Sequence, residues 1–234
     1  MKQTVVARCA LVTLLAAAVF DFAVAAGPAT PTDSLQRLKA GNAAFVAHPE
    51  EALPVTLSQR NAVTKGQTPF ATVLSCADSR VPPEVVFRAG LGELFVVRAA
   101  GEVLDHSVLA SIEYGAEHLH VPLIVVMGHE FCGAVKAAME TPAGTSLGPN
   151  LDFLVGAIKP AVTATANAKE AGRLKAAILA NVEDSMAQMV RESKILRHLY
   201  DEKAVTIVGA YYELTSGRVM FSTPLALPEP GAYG

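Results

Sequence analysis

This sequence has no tryptophan, no run of five or more basic residues, no low-complexity tract and no internal repeat. The missing basic run, with a net charge of −3, argues against a nucleic-acid surface. The missing repeat argues against solenoids and propellers. Long apolar runs are also scarce. One stretch, Ala10 to Phe20, lies near the start, is interrupted by Asp21, and is short for a membrane span. Cysteine is nearly absent, with three in 234 residues. Half of the chain is hydrophobic, at 51%. That is enough for the core of a single α/β domain.

The first 26 residues have the layout of a secretory signal. Lys2 and Arg8 form a positive n-region, Ala10 to Phe20 an apolar h-region, and Ala23-Val24-Ala25 a small-residue cleavage site. The exported chain is then expected to begin near Ala26 or Gly27, in the periplasm or outside the cell, with no stable membrane anchor left. An uncleaved anchor is the alternative. Cys9 leaves with the signal, so residues 27–234 keep only Cys76 and Cys132. Two cysteines in an oxidising compartment invite a disulfide reading. Their neighbours favour another use.

Two segments carry those neighbours, Ser75-Cys76-Ala77-Asp78-Ser79-Arg80 and Gly128-His129-Glu130-Phe131-Cys132-Gly133. Each follows a short apolar run, Phe70 to Leu74 and Pro122 to Met127, of the kind that forms buried parallel strands. Cys76 and His129 are thereby expected just past the carboxyl ends of two strands, where open α/β sheets keep their ligand crevice. Cys76, His129 and Cys132 make a two-sulfur, one-nitrogen set that suits zinc. Three protein ligands leave a fourth position for water, as in catalytic sites. Asp78, two residues from Cys76, can accept a hydrogen bond from a zinc-bound hydroxide or swing onto the metal and close the site. A pairing with Arg80 holds it off.

Around these segments the pattern predicts a mostly parallel central sheet of about five strands flanked by helices, with an N-terminal helical arm. Leu35, Leu38, Phe45 and Val46 mark a helix opened by Thr32 or Asp33, and Val55 to Lys65 a second, more polar one. Pro82-Pro83 opens a short helix through Phe87; Glu93 to Arg98 is a strand; Ser107 to Leu119 is a helix capped by Ser107 or Asp105. The helix after Cys132 presents its amide N–H groups to the crevice, which favours a thiolate. Asn150 to Ala168 and Lys169 to Arg197 are expected as long helices. Val205 to Leu214 and Arg218 to Phe221 pair around Thr215-Ser216-Gly217 as an antiparallel sheet edge.

The two metal segments resemble the signature of the β-class carbonic anhydrases, Cys-x-Asp-x-Arg on one loop and His-x-x-Cys on the next. Leu38 to Asn42, Gly66 to Phe70, Gly92 to Arg98, Ile112 to Tyr114 and Val208 to Tyr212 resemble further parts of that family, in order, over roughly Asp33 to Phe221. The resemblance implies one catalytic domain over 27–234 with Zn²⁺ as cofactor. It implies hydration of carbon dioxide to bicarbonate and a proton by zinc-bound hydroxide, with Asp78 and Arg80 as the catalytic pair. Gln67 matches a substrate contact of one branch of the family. Phe95, Ala100 and Tyr114 match its apolar substrate slot, part of which comes from a neighbouring subunit. Phe95 and Ala100 read equally well as ordinary core. A homodimer or homotetramer is expected, with the N-terminal helix either crossing a partner or packed on its own domain. Two thiolates and an imidazole neutralise Zn²⁺, so the hydroxide becomes abundant only somewhat above neutral pH. Other readings remain: hydrolysis of carbon disulfide or carbonyl sulfide on the same site, a closed zinc-binding regulatory protein, and a metal-free disulfide module. No partner among nucleic acids is implied.

Overall fold

In a computed structural model the described residues are 29–227, apart from 52 and 54; the signal segment lies outside them. Five strands form one sheet: β1 (Ala71–Ser75), β2 (Leu94–Arg98), β3 (Leu123–His129), β4 (Thr206–Tyr212) and β5 (Val219–Pro224). Their order is β2-β1-β3-β4-β5. The first four are mutually parallel, and β5 runs antiparallel to β4 around the predicted turn. β1 and β3 occupy the middle and are buried along their whole length. Such strands need apolar side chains on both faces, which explains their continuous hydrophobic runs.

Alternate residues of those strands feed two cores. Val73, Val125 and Met127 pack with Leu38 of α1 (Pro31–Ala47), Val86 of α3 (Pro83–Val86), Val135 of α5 (Gly133–Glu140) and Ile158 of α6 (Pro149–Ala164). Leu74, Ile124 and Val126 pack on the other face with Ile112 of α4 (His106–Glu117) and with Val182 and Met189 of α7 (Glu170–Glu192). The short α2 spans Leu57–Ala62, tighter than the 55–65 expected, because Thr56 and Gln59 close a capping box at its start.

Other boundaries also differ from the sequence reading, and some of the shifts have a clear cause. The cap of α1 is Thr30, whose Oγ1 accepts the Asp33 N–H at 3.1 Å; Pro31 then opens the first turn, so Thr32 and Asp33 lie inside the helix. β3 continues through His129, which pairs with Tyr212, so the ligand is the last residue of its strand. The single long helix expected up to Arg197 breaks at Ser193. Its hydroxyl accepts the Leu196 N–H and donates to Glu113, starting α8 (Lys194–Asp201). A buried Ser satisfied from two sides outweighs an uninterrupted helix at that point.

The N-terminal helix docks on its own domain. Asn42 donates to the Val86 and Gly217 carbonyls and accepts the Val219 N–H, which ties α1 to α3 and to the β4–β5 turn. Among the described residues no helix is long and apolar enough to cross a membrane.

Candidate metal centre

Parallel pairing of β1 with β3 brings the two signature loops to the same end of the sheet. Cys76 follows the last residue of β1, His129 closes β3, and Cys132 caps α5. All three are buried, and their ligand atoms lie within 4.8 Å of one another. The two cysteines are free thiols, not a disulfide. The predicted trio is therefore assembled by backbone topology alone.

The donor set fits a metal. His129 Nδ1 lies 2.9 Å from the Glu130 carbonyl, which can only accept, so that nitrogen carries the hydrogen and Nε2 keeps its lone pair. Nε2 is completely buried and has no hydrogen-bond partner. A buried ring nitrogen left without a partner is costly unless a ligand takes it. The cysteines already divide their charge. A hydrogen bond from Cys132 pulls the Cys76 thiol well down against its burial, with the Gly101 N–H adding to the effect. Cys132, the donor of that bond, is pushed up. The Gly101 N–H reaches Cys76 Sγ at 3.3 Å, from the 3₁₀ turn Ala100–Glu102.

Asp78 and Arg80 meet as the sequence suggests. Arg80 Nε and Nη2 donate to the two Asp78 oxygens at 2.9 and 2.7 Å, and the Arg80 N–H adds a third bond at 3.0 Å. These bonds to Arg80 hold the Asp78 carboxyl far below the usual carboxylate range. Asp78 Oδ2 is 3.9 Å from His129 Nε2, so a carboxylate pinned sideways stands beside the ligand atoms.

Two contributors escaped the sequence reading. Arg98, taken only as a strand end, donates to the Cys76 and Asp78 carbonyls at 3.0 and 2.6 Å and so clamps the first loop. Glu102 is 1% exposed with neither carboxylate oxygen paired. The available signal was a lone acid inside the apolar stretch Ala99 to Leu104. Desolvation pushes its carboxyl well above the usual range, and the charge of Cys76 adds to that.

The expected substrate slot is only partly together in one chain. Ala100 lies in the 3₁₀ turn whose next residue bonds Cys76. Phe95 pairs with Thr72, four residues and about 13 Å along the strand from Cys76, and its ring meets Tyr114 at 6.1 Å between centroids. Tyr114 is exposed. Gln67 is exposed ahead of β1, at the opposite end of that strand from Cys76.

Comparison with known proteins bears on this geometry. A carbonic anhydrase from Mycolicibacterium smegmatis is 37% identical over 201 residues, covering 81% of this chain and 92% of its own. Carbonic anhydrase 2 of Mycobacterium tuberculosis is 37% identical over 191 residues, with the same coverage. Among solved structures, one of two tetrameric β-carbonic anhydrases from Sordaria macrospora superposes with a TM-score of 0.66 at 24% identity, over 79% of this chain and 93% of that one. A β-carbonic anhydrase from Coccomyxa, in complex with acetazolamide, gives 0.66 at 24%, over 82% and 86%. The family model described as carbonic anhydrase matches residues 71–219, which hold both signature loops and the four parallel strands β1 to β4. By sequence and by fold, this chain belongs to the β-carbonic anhydrases, a family of enzymes.

Proposed function

We propose that the protein catalyses the reversible hydration of carbon dioxide to bicarbonate and a proton, with zinc held by Cys76, His129 and Cys132. The observation that carries this reading is the buried trio with an unclaimed His129 Nε2, set beside a carboxylate that Arg80 restrains. A zinc ion held by that trio would supply Lewis acidity that makes water nucleophilic somewhat above neutral pH.

The protein's own groups do the rest. Glu130, through its carbonyl, fixes the His129 ring, while Arg98 and the Gly101 N–H hold Cys76 in place. Asp78, ionised by Arg80, accepts a hydrogen bond from the attacking water and turns its lone pair toward the substrate. Arg80 keeps that same carboxylate off the metal position, so the arrangement supports an open site rather than a closed regulatory one. Gln67, Phe95, Ala100 and Tyr114 are the proposed substrate contacts. Because Gln67 and the Phe95–Tyr114 pair stand apart from the trio in one chain, a second copy is proposed to complete the slot.

Metal analysis with stopped-flow hydration tests the reading. One zinc per chain, lost together with activity in Cys76→Ser, is expected. Full hydration by a zinc-free Cys76→Ser protein overturns it. Export with removal of residues 1–26 is proposed from the leader's charge and apolar pattern. Intact mass of periplasmic material should give a start near Ala26 or Gly27, and a retained Met1 in the membrane fraction refutes export by cleavage.

A further inference from the structure

His129 and Cys132 share one short loop, and the middle of that loop is strained. Phe131 takes φ 57°, the left-handed region that a bulky residue rarely adopts. The residue is exposed, so its own packing does little to hold it there. Strained backbone persists only where its surroundings over-determine it. On the Cys132 side the loop runs into α5, where the Lys136 N–H donates to the Cys132 carbonyl at 3.0 Å. On the other side the restraint falls on Glu130.

Glu130 is held by a part of the chain 85 residues away in sequence. Its backbone N–H donates to the Tyr212 carbonyl at 2.8 Å. Its carboxylate Oε2 accepts the Thr215 N–H at 2.9 Å and the Thr215 hydroxyl at 2.8 Å. Its carbonyl in turn accepts the His129 Nδ1 hydrogen at 2.9 Å. Thr215 can serve as an anchor because its turn is fixed as well. The Gly217 N–H donates to the Glu213 carbonyl at 2.8 Å, and Asn42 of α1 bonds the Gly217 carbonyl and the Val219 N–H. A line of restraints therefore leads from α1 through the β4–β5 turn and Glu130 to the His129 ring.

We infer that the Glu130 side chain and Thr215 are positioning residues of the metal centre. Their contact fixes the peptide whose carbonyl sets the His129 tautomer and ring angle, and it keeps the strained loop closed so that Cys132 stays beside His129. A group that orients a metal-binding imidazole through its other nitrogen tunes affinity without being a ligand. The inference rests on the zinc reading above.

The test compares wild type with three variants. Glu130→Gln keeps an acceptor for both Thr215 donors but no charge, Glu130→Ala has no acceptor, and Thr215→Val loses only the hydroxyl. In the metal-free proteins, imidazole nitrogen NMR is expected to show His129 with its hydrogen on Nδ1 in wild type and Glu130→Gln, and as a mixture of tautomers in Glu130→Ala. Chelator competition should give zinc affinity about 10-fold or more weaker in Glu130→Ala, about 3-fold weaker in Thr215→Val and close to wild type in Glu130→Gln. The ligand-field bands of the cobalt-substituted protein should shift in Glu130→Ala. Wild-type tautomer, affinity and cobalt spectrum in Glu130→Ala overturn the inference even if Tm falls, because the contact is then only a staple of the surface. A Glu130→Gln protein as impaired as Glu130→Ala also overturns it, since charge and not the hydrogen bonds would then matter. Should Glu130→Ala not fold, Thr215→Val decides by the same affinity and tautomer measurements, and no change in either overturns the inference. Failure of wild type to bind zinc instead removes the zinc reading, and this inference with it.

Discussion

Arg80 grips Asp78 through both carboxylate oxygens while that carboxylate stands 3.9 Å from His129 Nε2. Cutting the grip leaves an anion within a short rotation of the metal position. Arg80→Ala is expected to retain zinc but lose hydration activity about 10–100-fold, because the freed Asp78 occupies the place water needs. Asp78→Ala removes the blocking group and also the orienting acceptor. The double mutant should then recover part of what Arg80→Ala lost, a non-additivity expected of residues in contact. A double mutant no more active than Arg80→Ala would reduce Arg80 to a clamp of the loop. Stopped-flow rates and metal content of the four proteins decide this.

The placement of these residues depends on how helices and turns are secured. Gly41 shows this for α1. A Cβ there would stand 1.9 Å from the Phe87 carbonyl oxygen, a backbone atom that cannot step aside. Gly41→Ala should therefore lift α1 from α3 and cost about 1–3 kcal/mol of stability, read as a lowered Tm. Gly66→Ala, with nothing within 4 Å of the new carbon, is the matched control and should leave Tm almost unchanged. Equal Tm values for Gly41→Ala and wild type would mean that α1 does not dock as described. The 3₁₀ turn shows the opposite arrangement, in which strain is retained. Gly101 and Glu102 both take positive φ, and the turn delivers an N–H to Cys76 that a regular strand-to-helix link would not aim there.

At the scale of the whole molecule, the sheet gathers the metal trio at one end but leaves the other site candidates dispersed. Tyr114 is exposed beside Phe95, Phe131 is exposed between the two ligands of its loop, and Gln67 lies at the far end of β1. A monomer has no use for this distribution, whereas a symmetric pair can bring one copy's aromatic pair to the other's trio. Sedimentation at assay concentration should show a dimer or larger assembly, and Tyr114→Arg should weaken both association and hydration. A stable, fully active monomer would contradict this.

Read alone, the sequence determined the chemistry. Cys76, Asp78 and Arg80 on one loop, and His129 and Cys132 on the other, were identifiable because each group sits two or three residues apart, where chain connectivity guarantees nearness; the pairing of β1 with β3 joins the two groups. The strands were legible because buried parallel strands require unbroken apolar runs. Only tertiary structure could decide which residues at long separation converge. Arg98 reaches the carbonyls of residues 76 and 78 through strand pairing, and Ser193 ends a helix because Glu113 is across from it. Glu102 is the clearest case. As a letter it is one acid among 22 acidic residues. It becomes a buried, unpaired acid only because α7 closes over its turn, and burial belongs to the packed whole rather than to any local stretch of chain.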